Sequence, residues 1–277
     1  MKTTAARVAG GVLALFVLVA VFGPLLVPYD SVSTGVADRL LPPGSTLSDG
    51  SFALLGTDQL GRDLLAQVIA GSRVSLLVAV TVVVVGGLTG LVLGLLAGYY
   101  GGWLDAVISR VGDMQLAFPS ILLAILLAGA LGPSLTNVII ALAVTRWVIF
   151  ARVVRGSALS ARNREFVDSA RVLGAGSVRI MTRYIYPSCV QPLLVAATVQ
   201  VGLTMVAEAA LSYLGLGVPI DQASWGSTIA GGRDYLASAW WIAAVPGVAL
   251  TLVVVCVGIL GDAARSGSGQ ASAAVVR

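Results

Sequence analysis

The chain has 277 residues, 57% of them hydrophobic and only 11% charged, with a mean hydropathy of +0.96. Soluble domains average about 25% charged residues, so this composition excludes a water-covered globule and points to an integral membrane protein. The 17 Lys and Arg exceed the 13 Asp and Glu only modestly, and the lack of any His removes the usual zinc and iron sites and His-based acid–base catalysis.

A spanning helix needs about 20 mainly apolar residues. The runs that qualify, in chain order, are Val8–Val27, Val74–Gly98, Met114–Leu131, Val138–Val154, Pro192–Leu214 and Trp241–Leu260, which predicts an all-α protein with six spans. The first run follows Lys2 and Arg7, yet it is longer than a leader's apolar core and no A-x-A site precedes Pro28. It therefore reads as a retained anchor, with the N-terminal end occupying 1–28. Residues 29–73 collect turn-formers (Pro42, Pro43, Gly44, Ser45) and then an amphipathic piece, "LLGTDQLGRDLLAQVIAGSRVSL".

In the second run Gly86, Gly90, Gly94 and Gly98 recur every four residues. That period stacks them on one helix face, where two backbones approach closely, within the chain's own bundle or against a partner. Asp113 and Arg146 are read as lying near the inner ends of their spans, with snorkelling side chains. Aromatic residues gather at span ends: Tyr99, Tyr100 and Trp103; Tyr184 and Tyr186; Trp240 and Trp241. Cys189 and Cys256 lie in or beside apolar runs and read as small hydrophobes.

Between the fourth and fifth runs comes "NREFVDSARVLGAGSVRIMTRYIYP", Asn163 to Pro187. On a helical wheel Phe166, Ser169, Ala170 and Leu173 share one side, opposite Glu165, Asp168 and Arg171. Asn163 is the predicted N-cap, Gly174 suits a left-handed stop, and Ser177 is predicted to cap a second short helix ending before Pro187. Such a hairpin either lies on anionic lipid through its arginines or docks into a partner. In the fifth run Glu208 is the deepest charge, and with Tyr213 it is a candidate for a substrate path. A pairing of Glu208 with a polar group in a neighbouring span is the equal alternative. The last residues, 263–277, are small and polar and are predicted to be a disordered tail.

With the N-terminus inside, 13 of the 17 basic residues fall on the inner side and four on the outer. The excess orients both termini and residues 163–187 towards the cytoplasm, and 29–73 away from it. No phosphate-binding loop, nucleophile elbow or metal-ligand spacing is present.

Residues 163–187 resemble the cytoplasmic signature of ABC-importer permeases, E-A-A-x3-G followed by I-x-L-P. The matching residues are Asp168-Ser169-Ala170, Gly174 and Tyr184-Ile185-Tyr186-Pro187, with Asp for Glu, Ser for the first Ala and Tyr for Leu. Along nearly the whole chain, "GLLAGYYGGWLD", "AFPSILLAILL", "LGPSLTNVIIAL", "AEAALSYLGLGV", "SWGSTIAGGRDYL" and "LGDAAR" resemble the second, C-type permease of the dipeptide/oligopeptide/nickel group. That resemblance implies a bacterial inner-membrane importer subunit with a permease core over 74–262, working beside a second permease subunit. It also implies two ABC ATPase subunits, separate or fused, which bind the ATP and Mg, and an extracytoplasmic substrate-binding protein. This chain would bind no cofactor, metal or nucleic acid and would catalyse nothing itself. Glu165, Asp168, Arg171 and Gly174 would couple to the ATPase. Phe166, Ser169, Ala170 and Leu173 complete that segment, the apolar ones as the buried side of the plug or its anchor to the bundle. Peptides are the implied cargo, with nickel chelates, glutathione or haem as alternatives. From another class, a stand-alone secondary transporter or channel is the rival reading. An intramembrane enzyme is disfavoured by the missing His.

Overall fold

The computed structural model describes residues 2–27, 35–219 and 222–275. Its long helices are α1 (Lys2–Leu26), α2 (Leu64–Tyr100), α5 (Leu135–Arg162), α8 (Tyr186–Tyr213) and α10 (Trp241–Val275). The shorter ones are α3 (Gly102–Leu116), α4 (Ser120–Leu131), α6 (Glu165–Val172), α7 (Ser177–Ile180) and α9 (Trp225–Gly232). Among the described residues five helices are long and apolar enough to span a membrane. Counting α3 and α4 as one bent span gives six. The fold is an all-α membrane bundle.

The third predicted span departs most from expectation. Met114–Leu131 is not one helix, because α3 and α4 meet at 87°. Pro119 is the cause: it has no N–H to continue the ladder and forces Phe118 out of helical geometry. Next to the break, Gln115 ties the end of α3 to α5 by donating Nε2 to Val144 O (2.8 Å) and accepting the indole N–H of Trp147 (2.9 Å). At the far end α10 stays helical through Val275, so the tail predicted to be disordered is helical to that residue.

The core follows from where small residues let helices close. Val78 and Val82 of α2, Ala124 and Ala128 of α4, Val138, Ala141 and Leu142 of α5, and Leu211 of α8 form one cluster. Trp225 fills a second between α2, α8 and α10, meets Phe16 in a tilted ring contact (centroids 5.1 Å apart), and donates its N–H to Val68 O (2.9 Å). At this end the segment before α2 folds into a compact knot with two short antiparallel strands, β1 (Ser45–Thr46) and β2 (Phe52–Ala53). Asp58 ties the knot by accepting from the Leu60 and Arg62 backbones and from the Arg62 and Gln67 side chains at 2.8–2.9 Å. The knot and α9 define the loop end of the bundle; α6 and α7 define the opposite, hairpin end.

Candidate functional site

The hairpin is built where α5 runs out. Because α5 stays helical through Arg162, Asn163 is used to close it, and Arg164 takes the N-cap place of α6 without a side-chain bond. The predicted Asn163 cap is therefore displaced by one residue. Glu165 and Asp168 lie in the first turn of α6, where the helix dipole favours acids. At its other end Ala175 N–H donates to Ala170 O (3.0 Å) and Gly174 N–H to Arg171 O (2.9 Å). Gly174 has φ +83°, completing a Schellman stop.

The second arm differs from its prediction in two ways. Gly176, not Ser177, holds the N-cap place of α7. The arm does not end before Pro187 but runs into α8 through a π-turn over Met181–Ile185. In that turn the Tyr186 N–H reaches back to Met181 O, and Pro187 enters in the first turn of α8, where its missing donor costs little.

The face turned onto the bundle only partly coincides with the one drawn on the wheel: Ala170 is shared, and Val167 replaces Phe166 and Leu173. Val167 and Ala170 are the buried residues of α6, packed with Ile180, Ile185 and Cys189 onto Val154, Ala158 and Ala161 of α5. Phe166 and Leu173, expected with Ala170 to be the buried side of a docked plug or its anchor to the bundle, are 41% and 86% exposed, so of the three only Ala170 serves as an anchor. Folding back onto α5 and α8 selects the face that meets Ile180 and Cys189, and α6 alone carries no record of that choice. With Val172 (87%) and Val178 (69%), Leu173 leaves the hairpin tip apolar and uncovered. Glu165, Ser169 and Arg171 are exposed, and Arg171 pairs with Asp168 at 2.8 Å.

Rigid contacts connect this tip to the bundle. Gly90, Gly94 and Gly98 press on α5 so closely that an added Cβ would lie 2.4 Å from Phe150 Cβ, 2.6 Å from Ala151 O and 2.6 Å from Ala158 Cβ. Gly86 faces the same helix at an ordinary 3.5 Å. The glycine face thus serves the chain's own bundle. Arg162 donates Nη1 to Tyr99 O (3.0 Å), closing the C-terminus of α2. Arg155 binds Asp105 through two nitrogens, the Nη2 bond being 2.7 Å, and joins α5 to α3. Arg152 meets Asp113 at 2.6 Å, a solvent-facing pair of small energetic weight. These contacts wall a polar cavity of about 390 Å³ lined by Ser109, Gly112, Asp113, Trp147 and Arg152.

Glu208 is fully buried near the loop end. Its carboxylate accepts Ser75 Oγ of α2 at 2.9 Å and Ser212 Oγ at 2.7 Å. Of the two sequence alternatives, pairing with a neighbouring span is the one observed. Tyr213 instead lines an open cavity of about 800 Å³ at the loop end, with Asp58, Gln59, Arg62, Gln222 and Arg233. Glu208 is not among its lining residues, but Ser212 is, so the carboxylate braces one wall from behind. Sequence reading missed this cavity because its walls come from segments as far apart in the chain as Asp58, Pro133, Tyr213 and Ile242.

With this geometry in place, comparison with known proteins is decisive. A family model described as the inner membrane component of binding-protein-dependent transport systems matches residues 90–266. The chain belongs to that family. A second model, the N-terminal TM domain of oligopeptide transport permease C, matches residues 1–43 of this permease. The permease is 42% identical, over 96% of its length, to a putative peptide transport system permease protein of Brucella suis, covering 87% of it. It is 40% identical over 92% of its length to a di/tripeptide transport system permease protein of Pseudomonas aeruginosa, covering 85% of that chain. Among solved structures it resembles a chain of the MetNI methionine ABC transporter in inward-facing conformations, with a TM-score of 0.61. That match spans 73% of the permease and 97% of the other chain at 19% identity, a likeness of fold.

Proposed function

We propose that this permease forms half of the translocation path of an ATP-driven importer of di- or oligopeptides in a bacterial cytoplasmic membrane. A second permease subunit supplies the other half, two ATPase subunits bind the ATP and Mg, and a binding protein delivers substrate on the far side. The chain itself hydrolyses nothing and binds no cofactor. Both termini and the hairpin face the cytoplasm, in keeping with the basic residues: 12 of 17 fall on that side once Arg146, inside α5, is set apart. Peptide cargo is supported by the relatives named for peptides and di/tripeptides.

The observation that carries the reading is the hairpin itself. Its inner face is locked onto α5 and α8, while Val172, Leu173 and Val178 stand uncovered beside exposed Glu165, Asp168 and Arg171. An apolar tip rimmed by charges is the form of a plug seated in a protein groove. Motion imposed on the tip reaches α2 and α8 through Val167 and Ala170, because close-packed contacts transmit displacement. The test is purification of the tagged full chain from its own membrane in mild detergent. The expected result is co-purification of an ATPase subunit and a second permease, with ATP-dependent peptide uptake after reconstitution. Recovery of the chain alone, with uptake intact, would instead establish a stand-alone transporter.

A further inference from the structure

Arg146 was read from sequence as snorkelling from an inner span end, and its position contradicts that. It lies 11 residues, about 16 Å, from Leu135 and 16 residues, about 24 Å, from Arg162 along α5. That places it well inside an apolar core about 30 Å thick. The other arginines of α5 are satisfied: Arg152 by Asp113, Arg155 by Asp105, Arg162 by carbonyls of α2. Arg146 makes only two contacts, Nη1 to Gln200 Oε1 at 3.4 Å and Nη2 to Leu203 O at 3.3 Å. Both exceed the usual range of about 2.7–3.2 Å, and a guanidinium has five N–H donors. Its Nε is buried with no partner, and among the described residues no carboxylate lies within 4.0 Å. One helical turn beyond Gln200 on α8, Thr204 is fully buried and its hydroxyl is also unpartnered.

A half-buried cation at this depth, with spare donors and an unspent hydroxyl one turn along the helix it contacts, is costly unless an anion completes it. We propose that Arg146, with Gln200 and Thr204, forms a mid-membrane subsite for the carboxylate of the transported substrate. The proposal rests on the importer reading above and adds the chemical group that the path recognises. Glu208 makes the contrast: both its oxygens are already met by serine hydroxyls, so it needs no ligand.

The test uses the complete reconstituted complex, with its ATPase subunits and binding protein, and trialanine as the probe. Arg146→Gln keeps hydrogen-bonding capacity but loses the charge, and should lower uptake at least about tenfold, as loss of a charged hydrogen bond would. Arg146→Lys restores the charge and should return uptake to within about threefold of wild type, since only a point charge replaces the fork. Thr204→Val, of nearly equal volume, should lower uptake by about threefold or more, one neutral hydrogen bond's worth; it serves as the second variant if Arg146→Gln fails to accumulate. Wild-type uptake by Arg146→Gln, or a Lys variant as impaired as the Gln one, overturns the subsite. So does loss of the second permease on purification of Arg146→Gln, which would show the charge pairing with that subunit, and so does unimpaired uptake by Thr204→Val. Absence of ATP-driven trialanine uptake by the wild-type complex would count against the importer reading instead.

Discussion

Gly90 and Gly86 sit one turn apart on α2 and face the same helix, yet they should respond differently to a methyl group. At Gly90 an added Cβ would lie 2.4 Å from Phe150 Cβ and 2.7 Å from Trp147 O, so α2 and α5 must separate. Gly90→Ala is expected to destabilise the bundle by about 2–3 kcal/mol. Gly86→Ala meets Arg146 Cβ at an ordinary 3.5 Å and should change stability by less than about 0.5 kcal/mol. Thermal unfolding of the two variants in detergent checks the difference, and equal shifts would contradict it. Glu208 offers a second contrast. Glu208→Gln keeps an acceptor for one serine and a donor to which the other hydroxyl can turn, so stability and uptake should stay near wild type. Glu208→Ala strands Ser75 and Ser212 in a dry site and should cost about 2 kcal/mol. A Gln variant that folds but fails to transport would show that the carboxylate acts on substrate after all.

At the scale of elements, the hairpin depends on a turn rather than on a contact. Gly174 holds φ +83°, and a Cβ placed there meets nothing within 4 Å, so the requirement for glycine is conformational. Gly174→Asn, which tolerates the left-handed region, should keep most uptake. Gly174→Val, β-branched and strained there, should abolish uptake while the chain still inserts in the membrane. Uptake assays at matched membrane levels decide it, and a fully active Val variant would remove the turn from the mechanism. The same element shows how far sequence carries. The charged rim and the stop at Gly174 were legible because those signals are local, although both N-caps fell one residue away from their expected places. That Val167, rather than Phe166 or Leu173, joins Ala170 on the inner face was not legible, because α5 and α8 make that choice. Likewise the apolar run around Pro119 looked continuous, since hydropathy has no term for a lost backbone donor; "AFPSI" carried the warning.

For the whole molecule, composition already implied a polytopic membrane protein, the skew of basic residues an expected inner side for the charged hairpin, and the resemblance of its motifs a permease. What they could not convey is how separate segments converge. The loop-end cavity takes its walls from Asp58–Gln67, from the end of α8 and from α9, and Arg146 meets Gln200 across 54 positions of chain. Those meetings are products of packing. The architecture that results joins two ends: a cavity at one, an uncovered apolar tip at the other, with glycine-packed α2 and α5 running between. If the tip is the point at which ATPase motion enters, replacing its most prominent apolar residue should uncouple the complex without unfolding the bundle. Leu173 is 86% exposed, so Leu173→Asp disturbs no internal packing. The decisive measurement is the amount of ATPase subunit retained by tagged Leu173→Asp relative to wild type, at equal levels in the membrane. A loss of at least about tenfold, which is about 1.4 kcal/mol of binding, is the predicted result. Wild-type retention together with wild-type ATP-driven uptake would contradict the account.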